Sequence, residues 1–272
     1  MQSADFPTPD ADLNGVLADL VASAQHALGA NFVGAWLQGS FAVGDWDVDS
    51  DVDFLIATRR DPSAAEEAAL NAMHARLYRL PSHWAQHLEG AYFPTGILRR
   101  AVPPGSPRRS LLFLDNTHDT LERSTHDDTA VARWVTRERG ITLAGPPPAA
   151  LIDPVSADEL RREVRALMRT WGAEIASGDY SIANQWAQPF AVLMYCRMLQ
   201  TLDTGRIESK RAGAVWAQRA LDARWADLIQ RAWEARPNPS LKVRTPADPA
   251  DQQATLDFIQ YALNLSEREQ EG

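Results

Sequence analysis

Apolar positions in the first half of the chain switch between two periods, whereas the second half keeps to one. From Asp12 to Leu28 the residues Leu13, Val16, Leu17, Leu20, Val21 and Leu28 recur at the spacing of a helix with one buried face. "FVGAWL" (32–37) then reads as a strand. In "DVDFLIAT" (51–58) strand alternation places Asp51 and Asp53 on one face, with Val52 and Phe54 on the other. "DPSAAEEAALNAMHARLYRL" (61–80) predicts a helix with Asp61 as cap and Pro62 at its first position. The runs "HLEGAYF" and "SLLFL" complete a small mixed sheet.

A break is expected at "LAGPPPAALIDP", where three prolines after Gly145 remove the donors that a continuing helix or strand would use. Beyond it every signal is helical. Ser156 and Glu159 form a capping box, and Leu160, Val164, Leu167, Met168, Trp171 and Ile175 form the expected buried stripe. Further helices are predicted over Pro189–Thr204, stopped by Gly205, and over Ser209–Ala223, Trp225–Ala235 and Pro249–Leu265. The expected fold class is α/β (α+β) with a small mixed sheet in residues 1–148, followed by an all-α helical bundle in residues 149–272. No repeats or low-complexity tracts interrupt this plan.

Composition narrows the function classes. The 272 residues are 45% apolar, enough to fill real cores. No apolar run approaches the roughly 20 residues of a membrane span, and the polar start lacks the apolar centre of a signal peptide, so a cytoplasmic location is the default. A net charge of −9 argues against a nucleic-acid binder and favours cationic partners. The single cysteine, Cys196, lies in an apolar helical pattern and reads as a buried thiol. His83 and His87 share an HxxxH spacing, but no glutamate stands between them and zinc is not expected.

The densest chemistry lies in "WLQGSFAVGDWDVDSDVDFLIATRRD" (36–61). Two carboxylates at i and i+2 on a strand project together and repel unless a cation neutralises them, and an oxygen-only pair of this kind suits Mg²⁺. The Gly39-Ser40 turn supplies a place where a phosphate can approach backbone N–H groups. Asp45, Asp47 and Asp49 read instead as hairpin residues, since aspartate favours turns. The constellation is G-S-x10-D-x-D.

"LQGSFAVGDWDVDSDVDFLI" resembles the signature of the nucleotidyltransferase superfamily. The order of the whole chain is similar to the aminoglycoside adenylyltransferases that modify streptomycin and spectinomycin, a likeness extended by "LAGPPPAALIDPVSADEL", "VLMYCRMLQTLDTGRIESK" and "AGAVWA". The resemblance implies transfer of AMP from ATP, aided by two Mg²⁺ ions, to a hydroxyl of a small, cationic acceptor such as an aminoglycoside, with the substrate held between two domains. It makes Asp51 and Asp53 the metal ligands, Glu89 the general base, Gly39, Ser40 and Ser50 the triphosphate contacts, and Arg197 and Lys210 the helical-domain contacts to phosphate. Lysine is rare in this chain, only Lys210 and Lys242, which singles out Lys210.

The chain departs from the family where the drug is held. The family's tryptophan after the fourth sheet segment corresponds to Asn116, and its acidic residues before the "VLMYCR" helix fall near Ala187. Trp171, Glu174, Asp179 and Trp186 are available to rebuild a pocket, although aromatic residues at helical spacing more often build core. Two competing readings are a protein-modifying (AMPylating) nucleotidyltransferase and a non-catalytic nucleotide sensor. The long helical segment favours a small-molecule pocket over the first, and retention of Asp51, Asp53 and Glu89 argues against the second.

Overall fold

Strand alternation sets the layers of the first unit. In the computed structural model, which describes residues 7–236 and 242–268, six strands pair in the order β5-β4-β3-β2-β1-β6. They are β1 (Phe32–Leu37), β2 (Val52–Thr58), β3 (Leu88–Pro94), β4 (Leu111–Leu114), β5 (Leu121–Ser124) and β6 (Ile141–Ala144). β2 and β3 run parallel and every other neighbouring pair is antiparallel. The crossover between the parallel strands is α3 (Ala64–Tyr78), as parallel pairing requires.

One face of the sheet packs Leu37, Val52, Phe54, Ile56, Leu88 and Tyr92 beneath α1 (Ala11–Leu28) and α3. The alternate residues Trp36, Leu55, Ala57, Ala91, Phe93 and Phe113 form a second core on the other face with Leu98 and Ile152. Two short helices, α2 (Gly39–Val43) and α4 (Thr95–Leu98), follow β1 and β3, and α5 (Ala130–Arg139) precedes β6.

One expected helix cap is corrected, and two strands are added. The α3 cap is Ser63, which accepts from the Glu66 backbone N–H while the Glu66 side chain accepts from Ser63; Asp61 instead pairs with Arg123 at 3.0 Å. The reciprocal box satisfies two orphan donors at once, which outcompetes a single Asp cap. Strands β5 and β6 were not expected. "LERS" is a four-residue edge strand with little burial, and "ITLA" runs straight into the Gly-Pro-Pro-Pro break, so neither carries a period-two signal.

The chain divides into two units, Met1–Val155 and Ser156–Gly272. In the second unit α6 (Ala157–Ser177) starts at the Ser156/Glu159 capping box. After it come α7 (Ala187–Thr204), ended by Gly205 at φ 67°, then α8 (Lys210–Ala220), α9 (Ala226–Glu234) and α10 (Pro249–Arg268). The α6 stripe is Leu160, Glu163, Val164, Met168, Gly172 and Ile175, whereas Leu167 is 41% exposed. Gly172 takes a place in the stripe because a Cβ there would press on the Tyr195 hydroxyl of α7. Cys196 is buried, and burial raises its thiol well above the ordinary range. No helix among the described residues is long and apolar enough to cross a membrane.

Candidate active site

The alternation that builds the two cores also delivers the carboxylates. Val52, Phe54 and Ile56 face α1 and α3, so Asp53 shares the opposite face with Leu55 and Ala57. In β3 the same parity groups Glu89 with Ala91 and Phe93. Parallel register then sets Asp53 directly beside Glu89. The close approach of the strands depends on Gly90, where a Cβ would overlap the Phe54 carbonyl oxygen.

The Gly-Ser turn closes over this pair. Gln38 N–H donates to the Asp53 carbonyl at 2.8 Å, and the chain turns at Gly39 with φ +62°. A methyl group at Gly39 would overlap the Asp53 carboxylate, so only glycine admits that side chain. The Ser40 hydroxyl is buried with no hydrogen-bond partner. Buried hydroxyls are normally satisfied, so this one has hydrogen-bonding capacity to spare.

The segment between α2 and β2 is pinned at both ends. Trp46 stacks on Phe41 at 4.9 Å and meets Trp84 edge-on. Asp47 closes a turn: its N–H donates to Ser50 Oγ at 2.9 Å, and its carboxylate accepts from the Asp49 N–H and the Ser50 hydroxyl. Asp47 is thus a turn residue, and the Ser50 hydroxyl is engaged within the turn. Asp51 accepts from the Asn116 side-chain amide. His87 lies 3.1 Å from the other end of that amide, and its own carbonyl accepts from the Val52 N–H at 2.8 Å.

Around Glu89 the field is negative. Burial, followed by the charges of Asp53, Asp51, Asp127 and Asp115, pushes its carboxyl up to about 9. His126 lies 4.0 Å from the Glu89 carboxylate, with its ring against Phe113. The segment carrying His126 and Asp127 is fixed by its neighbour. Asp128 takes two bonds from the Arg109 guanidinium, at 2.7 and 2.9 Å, and one from Arg133 at 2.7 Å. Burial pushes the Asp128 carboxyl up, but these arginines outweigh it and hold it below the usual carboxylate range. Arg133 is fully buried and also donates to the carbonyls of Ile97, Leu98 and Thr129.

Arg197 and Lys210 belong to the second unit. Arg197 is half-buried on α7, against Gly213 of α8, where any Cβ would collide with the Arg197 backbone. Lys210 opens α8 beside the cap Ser209, and its ammonium lies 5.0 Å from the centroid of the Phe190 ring. Half-buried Trp171 and Trp186 stack on Tyr195 and Phe190 respectively.

Comparison with known proteins places both units. Residues 30–84 match the nucleotidyltransferase domain, and residues 150–261 match the C-terminal domain of aminoglycoside adenylyltransferase. The chain is an aminoglycoside adenylyltransferase-like nucleotidyltransferase. Its fold is similar to the crystal structure of spectinomycin adenyltransferase AAD(9) from Enterococcus faecialis with ATP and spectinomycin, at 14% identity and a TM-score of 0.68, covering 92% of this chain and 98% of that one. No curated protein matches the chain.

In this adenylyltransferase-like enzyme the structure brings Gly39, Ser40, Asp53 and Glu89 together, with Asp51 tied to Asn116 at the entry to β2. Among the described residues no three His, Cys, Asp or Glu side chains form a cluster able to hold an ion by themselves. Mg²⁺ seldom needs one, since it is commonly held by one or two carboxylates together with substrate phosphates. The orphaned Ser40 hydroxyl and the space that Gly39 leaves beside Asp53 fit that arrangement. Sequence reasoning missed the hydrogen bonds of Asn116 and His87, and the nearness of His126 and Asp127 to Glu89. Only the "HDD" run could have hinted at the latter.

Proposed function

We propose that the protein transfers AMP from ATP to a hydroxyl of a small, cationic acceptor such as an aminoglycoside, with Mg²⁺ held at Asp51 and Asp53. The observation that supports this reading is the register of Asp53 with Glu89, which brings two carboxylates side by side on adjacent strands of one sheet. When bound, the metal neutralises charge on the α-phosphate and on departing pyrophosphate. With the charges of Asp51 and Asp53 neutralised, the push that holds the Glu89 carboxyl up is reduced, and ionised Glu89 takes the proton of the acceptor hydroxyl, whose oxygen bonds to the α-phosphorus while the bond from that phosphorus to pyrophosphate breaks.

Gly39 and Ser40 hold the triphosphate, the Ser40 hydroxyl gaining the partner it lacks within the protein, and Ser50 supports the same loop. Arg197 and Lys210 brace phosphate. For Lys210 the check is calorimetry on Lys210→Ala: loss of one charge-assisted contact weakens MgATP binding by roughly 10- to 150-fold. A cationic acceptor suits the field of Asp115 and Asp127 around Glu89 and the net charge of −9.

Glu89→Gln tests the role of the base. The variant keeps shape but cannot accept a proton, so MgATP binding survives while transfer falls by about 10² to 10⁴. Collapse of nucleotide affinity with normal turnover per bound complex would make Glu89 a binding residue instead.

A further inference from the structure

The loop after β4 carries a side chain whose two polar ends both point into the site. β4 is antiparallel to β3, with Leu114 opposite Gly90, so the chain leaves β4 next to Glu89. Asn116 follows after exposed Asp115, half-buried, just before Thr117, which turns at φ 67°. Its amide nitrogen donates to Asp51 Oδ1. Its amide oxygen lies 3.1 Å from His87 Nδ1.

These two contacts fix each other. An amide oxygen can only accept, so His87 carries its hydrogen on Nδ1 and donates it. The reversed amide would set oxygen against the Asp51 carboxylate. His87 is steadied in turn by the His83 ring at 4.4 Å, and His83 Nε2 lies 2.8 Å from the Val48 carbonyl oxygen. The result is a hydrogen-bonded line, His87 to Asn116 to Asp51, with His83 anchoring it to the Asp-rich loop.

We propose that Asn116 is a positioning residue for the metal site: it holds the Asp51 carboxylate in one orientation, and His87 holds Asn116. The proposal rests on the reading of Asp51 as a metal ligand. Partners of this outer kind orient ligands, and their loss typically lowers metal affinity by about 10- to 100-fold. The position also bears on the acceptor. Where the family resemblance calls for a drug-holding tryptophan, this chain has a side chain committed at both ends to Asp51 and His87, so acceptor recognition here uses no ring at that place.

Binding of Mn²⁺, followed by electron paramagnetic resonance with a non-hydrolysable ATP analogue present, tests this without turnover. Asn116→Leu preserves volume and removes both polar groups, and Asn116→Ala covers the case in which leucine disturbs folding; thermal unfolding reports the fold of each. Expected are a 10- to 100-fold weaker Mn²⁺ affinity at an unchanged unfolding temperature, and a smaller loss of 2- to 10-fold in His87→Phe. The double variant His87→Phe/Asn116→Leu should be no weaker than Asn116→Leu alone, because both changes break one line. Wild-type Mn²⁺ affinity in both Asn116 variants, with affinity abolished in Asp51→Asn, overturns the positioning role and leaves the metal reading intact. Wild-type affinity in Asp51→Asn overturns the metal reading and the positioning role with it.

Discussion

Asp53 and Glu89 are partners across the parallel pair β2 and β3, one strand spacing of about 4.8 Å apart, on the face that also carries Leu55, Ala57, Ala91 and Phe93. Two carboxylates in that relation repel, and the repulsion adds to burial in holding the proton on Glu89. Sheet register fixes the pair, so loop motion cannot relieve it.

Asp53→Asn removes the charge beside Glu89 without changing shape. Metal-dependent turnover should be abolished while unfolding temperature stays level or rises slightly, since the lost group contributes repulsion in the metal-free protein. Side-by-side turnover and thermal unfolding decide this. Retained activity would remove Asp53 from the metal site.

Gly39→Ala should fail in a different way. The residue sits at φ +62°, and a methyl group there would overlap the Asp53 carboxylate. Backbone strain alone costs about 1–2 kcal/mol. The displaced carboxylate should also cost MgATP affinity, whereas an alanine at solvent-facing Gly44, which has φ +74° and open space beside it, should show the strain without that loss. Denaturant unfolding and calorimetry on both variants separate the two effects. Equal MgATP affinity in both would mean that the contact of Gly39 with Asp53 is incidental to binding.

His74 gives the first unit an acid-sensitive element. It is fully buried beneath β2 and β3, stacked on Phe54 and 2.7 Å from the Tyr92 hydroxyl, and burial pushes its imidazole down to about 3. The unfolded chain therefore takes up this proton at a higher pH than the folded one. Stability from this group is intact above about 6.5 and declines as pH falls from 6.5 toward 3, at most by roughly 1.4 kcal/mol per pH unit. His74→Gln, which can still bond Tyr92, should flatten that slope in denaturant titrations between pH 7 and pH 4. An unchanged slope would place the acid sensitivity elsewhere.

Much of the first unit was legible because the carboxylates interrupt a strong period-two pattern: Asp53 inside "VDFLIAT" is costly unless it has a task, and strand parity tells which neighbours share its face. The helical unit was legible from caps, with Ser156/Glu159 and Gly205 in their expected places. Burial within α6 was less so, because a glycine chosen for close approach and the buried Glu163 took places where apolar periodicity suggested Leu167. Strands β5 and β6 escaped because pairing, not apolar content, makes them strands. The line from His87 through Asn116 to Asp51 joins residues distant in sequence by side-chain hydrogen bonds, which leave no periodic trace. In the sequence His83 and His87 offered only an HxxxH spacing without the glutamate that would make it a zinc motif.

The destination of the AMP group separates a small-molecule acceptor from a protein one. ATP labelled at the α-phosphate, incubated with the purified protein, Mg²⁺ and a panel of aminoglycosides and other amino sugars, can be followed into small molecules, into protein and into unreacted nucleotide. Expected are label on a small cationic acceptor, a mass increase of one AMP, stoichiometric pyrophosphate release, and loss of all three in Glu89→Gln. Label on protein instead of any small acceptor, or MgATP bound without release of pyrophosphate across the whole panel, would contradict it.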